Sequence, residues 1–226
     1  MIEIKQFVVN EFKTNEAMKA LRTNLLFSGE KIQAVALTSF QPNEGKSTIA
    51  FQLCASLAES GKKTLLIDAD LRNSVLINSL RVREQVNGLS HFLSGVSDIK
   101  DLIKVTDFDN FHILFAGVRV PNSAELLGGE RFKQLMKVLR TKYDFIVVDT
   151  APLGLVIDTA IVAPIVDGTV IVIDTTNNSY KQERRILTQL EKTKGRILGV
   201  ILNRVDDKSK SQYGYGYEYG YGEEKD

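Results

Sequence analysis

The chain has 226 residues, 43% of them hydrophobic and 25% charged, with a formal net charge of +1. This composition supports a full core and gives no overall electrostatic attraction for nucleic acid. The single cysteine, Cys54, excludes an intramolecular disulfide and a cysteine zinc site, and its apolar surroundings predict a core thiol. No apolar run reaches the roughly 18 residues of a membrane span, and residues 1–16 lack the pattern of a signal peptide. We therefore expect a soluble, cytoplasmic protein that has no nucleic-acid partner.

Continuous apolar runs rich in β-branched residues predict strands that are buried on both faces. They lie at 33–39, 63–68, 143–149, 168–174 and 197–203, with a further strand at 111–117. Helical patterns separate them at 47–61, 130–143 and 180–195, and short amphipathic pieces lie at 88–95 and 98–105. This alternation predicts an α/β fold, in which a mostly parallel central sheet carries helices on both faces.

The chain divides into one predicted domain, residues 1–206, and a C-terminal tail, residues 207–226. In the tail, Tyr213, Tyr215, Tyr217, Tyr219 and Tyr221 occupy alternate positions and are separated mostly by glycine. The glycines offer no second face to pack and lose much conformational entropy on ordering, which predicts a disordered segment. The tail is either a low-complexity extension or a row of phenols presented to a phosphorylating enzyme, each phosphate adding about −1.5 to −2 charges.

The stretch SFQPNEGKST, residues 39–48, follows the first predicted strand and precedes a helix, as a phosphate-binding loop does. Its candidate nucleotide-binding residues are Asn43, Glu44, Gly45, Lys46, Ser47 and Thr48. Backbone N–H groups would face the phosphates, Lys46 would reach the β and γ oxygens, and the Ser47 hydroxyl would ligate Mg²⁺. Phe40 stands where the G-x-x-x-x-G-K-[ST] pattern has its first glycine. Asn43 tolerates the left-handed conformation that a glycine often supplies.

Carboxylates end two of the predicted strands. Asp68 and Asp70 follow one run within LLIDADLR, together with Arg72, and Asp149 ends another within FIVVDTAP. Open α/β sheets bind ligands at the carboxyl ends of their strands, and buried carboxylates there need a cation or a partner. We expect Ser47, Asp70 and Asp149 around Mg²⁺; if the tail phenols are substrates, Asp68 would orient or deprotonate the incoming phenol.

Two assignments at this edge stay open. The roles of Asp68 and Asp70 are interchangeable, and Arg72 contacts a neighbouring subunit, contacts the transferring phosphate or forms a simple ion pair. Lys46, Asp68, Asp70 and Arg72 are together the candidate catalytic residues.

The string NRVD, residues 203–206, is the remaining candidate for nucleotide contact. It reads either as a base-recognition loop, with Asn203 as an adenine contact and Asp206 as a weaker candidate, or as a polar turn before the tail.

These motifs in this order resemble the bacterial tyrosine kinases that regulate capsular and exopolysaccharide synthesis, specifically the cytoplasmic type of Gram-positive bacteria. SFQPNEGKST resembles their Walker A motif, LLIDADLR the additional Walker A′ motif and FIVVDTAP the Walker B motif, and the tyrosine cluster completes the likeness. Residues 117–132 resemble a further family segment, from which Val120 and Ser123 depart. The resemblance implies an ATP- and Mg²⁺-dependent kinase that autophosphorylates its tail.

The resemblance also implies partners. A ring-shaped homo-oligomer would assemble through a helix at about 14–28, whose E-x-x-R-x-x-R-like motif reads EAMKALR and gives Glu16, Lys19 and Arg22 as contacts. Lys19 replaces an arginine and loses its bidentate geometry. A membrane-anchored adaptor of the polysaccharide co-polymerase type and a cognate tyrosine phosphatase are the other implied partners, and the adaptor would hold the kinase at the membrane periphery.

The main alternative is the branch of partition and cell-division ATPases, which are nucleotide-driven switches without tyrosine kinase activity. That branch carries a signature lysine early in its phosphate loop, where this chain has Gln41. It also has no reason to carry a tyrosine tail. The sequence therefore favours the kinase.

Overall fold

The computed structural model describes residues 1–9, 11–29, 31–83, 86–176 and 195–205. Most of the helix predicted at 180–195, namely residues 180–194, lies outside these described residues, as do Asp206 and the tyrosine tail. The strands are β1 Ala34–Ser39, β2 Thr64–Asp68, β3 Ile103–Val105, β4 Phe111–Leu114, β5 Phe145–Asp149, β6 Gly168–Asp174 and β7 Ile197–Asn203. The helices are α1 Phe12–Phe27, α2 Lys46–Glu59, α3 Leu76–Ser79, α4 Leu89–Leu93, α5 Ile99–Leu102, α6 Ser123–Gly128, α7 Glu130–Arg140 and α8 Asp158–Val162.

The strands form one seven-stranded sheet in the order β3-β4-β2-β5-β1-β6-β7. Every neighbouring pair is parallel except β3 with β4. The predicted α/β fold with a mostly parallel sheet is confirmed. The chain leaves β1 toward β2 on one side and later returns to place β6 on the other. Such a reversal opens a crevice at the carboxyl ends of the strands, where α/β proteins bind ligands.

Two apolar layers cover the two faces of the sheet. Successive strand residues point to opposite faces, so Val35 and Leu37 join one layer and Ala34 and Ala36 the other. The first layer includes Leu25 of α1 and Leu53 and Leu57 of α2; the second includes Phe132, Leu135 and Leu139 of α7. This double burial explains the uninterrupted apolar character of the strands. Cys54 lies in the first layer as predicted, and burial raises the pKa of its thiol.

The ends of several elements differ from the sequence-based expectation. The amphipathic piece at 98–105 divides into α5 and β3, because Ile103 to Val105 pair antiparallel with β4 at the edge of the sheet. The helix expected at 130–143 ends at Arg140, and the Tyr143 hydroxyl meets His112 Nδ1 at 2.8 Å. The N-terminal helix begins at Phe12. In the described part of the chain, no helix has the length and apolar character needed to cross a membrane.

Candidate active site

The loop between β1 and α2 adopts the backbone that a phosphate-binding loop requires. Asn43 has φ 65° and Gly45 has φ 87°, so both are left-handed. At Gly45 a Cβ would lie 2.2 Å from Asn203 Nδ2, so a side chain there would also displace the Asn203 amide. Helix α2 then begins at Lys46. Its first N–H groups and the positive end of its dipole point out of the loop, which is the arrangement that binds anions.

Phe40 explains how this loop dispenses with the first glycine of the usual pattern. Its side chain is 3% exposed and packs in a small cluster with Leu153, Ala163 and Ile171. Its carbonyl accepts a hydrogen bond from Gly154 N at 3.0 Å. An aromatic anchor therefore ties the start of the loop to the segment that follows β5.

Lys46 and Asp149 form a buried ion pair at the base of the loop. Lys46 Nζ binds a carboxylate oxygen of Asp149, and the two side chains are 7% and 3% exposed. Lys46 Nζ also lies 3.2 Å from the Ser47 hydroxyl. The structure thus brings the Walker B carboxylate, 103 residues further along the chain, to the lysine that also lies beside the Ser47 hydroxyl.

Asp68 is the most perturbed carboxylate of the site. It ends β2 directly opposite Asp149 on β5, is 1% exposed, and accepts a hydrogen bond from the Ser74 hydroxyl. Burial, and next the negative charge of Asp149, raise the pKa of Asp68 to about 7, although the Ser74 hydrogen bond acts in the opposite direction. A carboxylate with a pKa near neutrality is suited to accept a proton under physiological conditions.

Asp70 is held differently. Its Oδ1 accepts hydrogen bonds from the backbone N–H groups of Arg72 at 3.3 Å and Asn73 at 2.9 Å, which fixes the turn after β2. Asp70 lines the cleft in front of the phosphate loop, whereas Asp68 does not. Exposure to the cleft therefore favours Asp70 as a ligand of bound groups, and pKa favours Asp68 as a base.

Arg72 is clamped by a carboxylate that the sequence did not single out. Its Nε donates to Asp158 Oδ2 at 2.8 Å and its Nη2 to Asp158 Oδ1 at 3.1 Å. Asp158 is fully buried at the start of α8 and also accepts a hydrogen bond from the Ser123 hydroxyl. The hydrogen bond to Asp158 is the main cause that raises the pKa of Arg72. The expected alternative of an ion pair is thus present, with a buried partner, while Arg72 still lines the cleft.

Asn203 lies beside the phosphate loop, at the carboxyl end of β7 and opposite Asp174. Its Nδ2 donates to the Glu44 carbonyl at 2.9 Å, and its Oδ1 accepts from Arg204 N at 3.0 Å. Both polar atoms of the amide are therefore used within the chain, as in a polar turn. The buried Glu44 side chain accepts a hydrogen bond from Gln41 N at 2.9 Å and so braces the same loop.

A cleft of about 290 Å³ unites these elements. The phosphate loop contributes Asn43 to Thr48, and Arg204 lies at the same opening. Ser39 and Pro42 also line it, and the loops that follow β2 and β5 contribute Asp70, Arg72, Asn73, Val75, Ala151, Pro152, Leu155 and Val156.

The residues expected at a subunit contact lie on α1 and do not line this cleft. Lys19 Nζ pairs with Glu16 Oε1 at 2.8 Å, and both side chains are about half exposed. Arg22 Nη1 donates to the Ser56 carbonyl on α2 at 2.6 Å. Arg22 therefore joins α1 to α2 within the chain.

The fold and the site define a P-loop nucleotide-binding protein of the α/β class. The family described as an AAA domain (AAA_31) matches residues 32–201. The tyrosine-protein kinase CpsD of Streptococcus pneumoniae is 38% identical over 194 residues, which cover 86% of each chain. The kinase domain of the Escherichia coli tyrosine kinase ETK superposes with a TM-score of 0.81 at 33% identity, covering 90% of this chain and 80% of that one.

This chain belongs to the bacterial tyrosine-protein kinase family. The septum site-determining protein MinD from Pyrococcus horikoshii, solved with Mg-ADP, is a more distant neighbour, with a TM-score of 0.65 at 27% identity that covers 79% of this chain and 72% of that one. The greater similarity to kinases favours that branch over the cell-division ATPases.

Proposed function

We propose that the chain transfers the γ-phosphoryl group of Mg·ATP to the phenols of its own C-terminal cluster, Tyr213 to Tyr221. The observation that carries the proposal is the contact between a phosphate-binding loop and the carboxylates of two adjacent strands: Lys46 binds Asp149, and Asp149 lies directly opposite Asp68. One of these carboxylates, Asp68, has a pKa of about 7. A nucleotide switch needs the loop and the metal ligands but has no use for a base matched to a phenol.

Phosphoryl transfer depends on positioning and charge neutralisation more than on covalent chemistry by the protein. The loop amides and the start of α2 face the phosphates, and Lys46 exchanges its bond with Asp149 for the β and γ oxygens. Arg72, held by Asp158, places a second positive charge at the cleft.

Ser47, Asp70 and Asp149 are the residues that would hold Mg²⁺, which neutralises phosphate charge when bound. The side chains of the described residues include no group of three or more His, Cys, Asp or Glu arranged to hold a metal. One hydroxyl and two carboxylates, from Ser47, Asp70 and Asp149, nevertheless suit Mg²⁺, because this ion usually takes one or two carboxylates and completes its shell with water and phosphate oxygens.

The acceptor phenol has to lose its proton, and at a pKa of about 10 it rarely does so alone. Asp68 is the better match in pKa and Asp70 is the more exposed. In either case the proton passes from the tyrosine hydroxyl to a carboxylate as the oxygen bonds to phosphorus, and ADP leaves with the electron pair of the broken bond.

The family resemblance supports the rest of the proposal. On that basis we extend the proposal to a kinase of the cytoplasm that is peripheral to the membrane through an anchored adaptor and forms a ring-shaped oligomer, which a tyrosine phosphatase resets. The cellular role that follows is regulation of capsular or exopolysaccharide synthesis and export.

The test is mass spectrometry of the purified protein after incubation with Mg·ATP, with and without the cytoplasmic segment of a candidate adaptor. We expect up to five phosphates on the tail cluster, more with the adaptor, and none in the Lys46→Met variant. ATP hydrolysis without phosphotyrosine, even with the adaptor, would support the switch alternative instead.

A further inference from the structure

One wall of the cleft is apolar in a way that a triphosphate site does not require. Val75, Leu155 and Val156 line the cleft alongside Asp70 and Arg72. Val75 is 45% exposed and Leu155 is 65% exposed. Exposed aliphatic side chains at the edge of a charged site have no partner among the phosphates or the metal, so they point to an apolar part of another ligand.

The position of this wall follows from the topology. Val75 belongs to the loop after β2, and Leu155 and Val156 belong to the segment after β5. Because β2 and β5 are adjacent and parallel, the two loops meet at the same edge of the sheet, directly beyond Asp68 and Asp149. A tyrosine ring that rests on this wall would hold its hydroxyl near the carboxylates. A serine side chain is too short to contact the wall while its hydroxyl is at the same position.

We propose that Val75, Leu155 and Val156 form the binding surface for the ring of the acceptor tyrosine, and that the occupant is the tyrosine-rich segment 211–226. The inference rests on the proposed kinase function and adds to it the residues that select tyrosine over serine and threonine.

The course of the chain supports this occupant. Arg204, directly after β7 and one residue before the end of the described chain, lines the same cleft, and the tyrosine-rich segment begins seven residues further along the sequence. The ten residues from Asn203 to Tyr213 span up to roughly 35 Å when extended, which is ample for a cleft this small. Composition agrees as well, because glycine separates the tyrosines except at Glu218 and gives most of the rings no bulky neighbour.

Charge is complementary too. Four acidic residues and one lysine follow Tyr213 in the sequence, namely Glu218, Glu223, Glu224, Asp226 and Lys225. Arg72 and Arg204 line the cleft with side chains that are 31% and 52% exposed, and each guanidinium also pairs with a buried carboxylate, Asp158 and Asp174 respectively. An acidic, phenol-bearing segment therefore matches a cleft with an apolar wall and cationic edges.

The experiment measures KM for a synthetic peptide of residues 211–226 and KM for ATP, using the full chain with the five tail tyrosines, Tyr213 to Tyr221, changed to alanine so that no tail ring competes for the wall. Leu155→Ser and the double variant Val75→Ser/Leu155→Ser remove apolar surface without opening the core. We expect KM for the peptide to rise about tenfold with Leu155→Ser, equivalent to ~1.4 kcal/mol, and further with the double variant, while KM for ATP is unchanged. Leu155→Phe keeps an apolar wall and should retain low KM.

Ile157→Ser is the matched control. Ile157 is 64% exposed, lies two residues from Leu155 and does not line the cleft, so this variant should behave as wild type. A second readout is the selectivity for tyrosine, measured as the ratio of kcat/KM for the tyrosine peptide to kcat/KM for a peptide with serine in its place. This ratio should be large for wild type and smaller for Leu155→Ser.

The outcomes separate the two proposals. If the starting protein phosphorylates the peptide and Leu155→Ser leaves its KM unchanged, the acceptor wall is wrong while the kinase stands. A parallel rise in KM for ATP would assign the wall to the nucleotide, and an equal effect of Ile157→Ser would make it non-specific; both overturn the inference. If no tyrosine is phosphorylated under any condition, the proposed function fails and the inference fails with it.

Discussion

Removing Arg72 should lower the free energy of unfolding more than removing its partner Asp158, because the two groups differ in burial. Asp158 is fully buried, whereas the Arg72 side chain is 31% exposed. Arg72→Met leaves a buried carboxylate with the Ser123 hydroxyl as its one remaining hydrogen-bond partner among the described residues, and breaking a buried pair in this way costs about 3–5 kcal/mol. Asp158→Asn leaves a guanidinium that can turn to water, so the loss is near that of a charged hydrogen bond, about 1.5–3 kcal/mol.

Urea unfolding of the two single variants and the double variant measures these values. We expect Arg72→Met to be the less stable single variant, and Arg72→Met/Asp158→Asn to be more stable than Arg72→Met alone, because the uncompensated charge is gone. Additive losses, or a larger loss for Asp158→Asn, would contradict the buried clamp.

Kinetic assays of tyrosine phosphorylation in the same variants distinguish a role of Asp158 in positioning Arg72 from a role in stability alone. If Asp158 acts by holding Arg72 at the cleft, Asp158→Asn should lower kcat by between about 10-fold and 100-fold with little change in KM for ATP. The double variant should regain stability and stay inactive, since it lacks the guanidinium. Recovery of activity together with stability would reduce Arg72 to a structural residue.

Three further variants test the rest of the site. Lys46→Met should abolish tail phosphorylation and also lower stability in urea, because it leaves a buried carboxylate unpaired; unchanged phosphotyrosine would refute the assignment. The pKa of Asp68 is raised by folding to about 7, so the folded state binds the extra proton, and nucleotide-free stability should fall by up to about 1.4 kcal/mol per pH unit between about pH 4 and 7. Asp68→Asn should flatten that slope in urea titrations and remove a rise in kcat around pH 7. Gly45→Ala should lose nucleotide binding by calorimetry, since it meets strain at φ 87° and a clash at 2.2 Å, whereas Gly61→Ala, at φ 84° with nothing within 4 Å, should pay only the strain.

Much of this molecule was predictable from residue patterns, since burial on both faces produces the apolar runs and helix geometry produces the patterns between them. The positions of Asp68 and Asp149 followed from the rule that carboxyl ends of parallel strands gather at one edge. The sequence did not predict that these two carboxylates lie opposite each other, because their pairing requires β5 to lie between β1 and β2 in the sheet, and no local sequence pattern indicates that strand order.

The ion pair between Arg72 and Asp158 was not predicted, for a related reason. Asp158 opens a short helix and looks like an ordinary capping residue, and Ser123 looked like a mere departure from the family pattern. Both residues are buried, and the Ser123 hydroxyl donates a hydrogen bond to the Asp158 carboxylate, 35 residues away in the sequence. The signal available beforehand was weak: an isolated acidic residue in an otherwise apolar stretch after the Walker B motif.

The α1 helix shows how a motif implied by resemblance acquires a second role in the folded chain. Arg22, expected at a subunit contact, already donates to the Ser56 carbonyl on α2 at 2.6 Å. A ring contact that drew on Arg22 would have to share or replace this hydrogen bond, and α2 is the helix whose first residue is Lys46. Glu16 is different, since its partner Lys19 is half exposed and easily released. Assembly through α1 would therefore act on the helix that carries the phosphate site, and loss of a ring in an Arg22 variant would report on both contacts, whereas a Glu16 variant would report on the subunit contact alone.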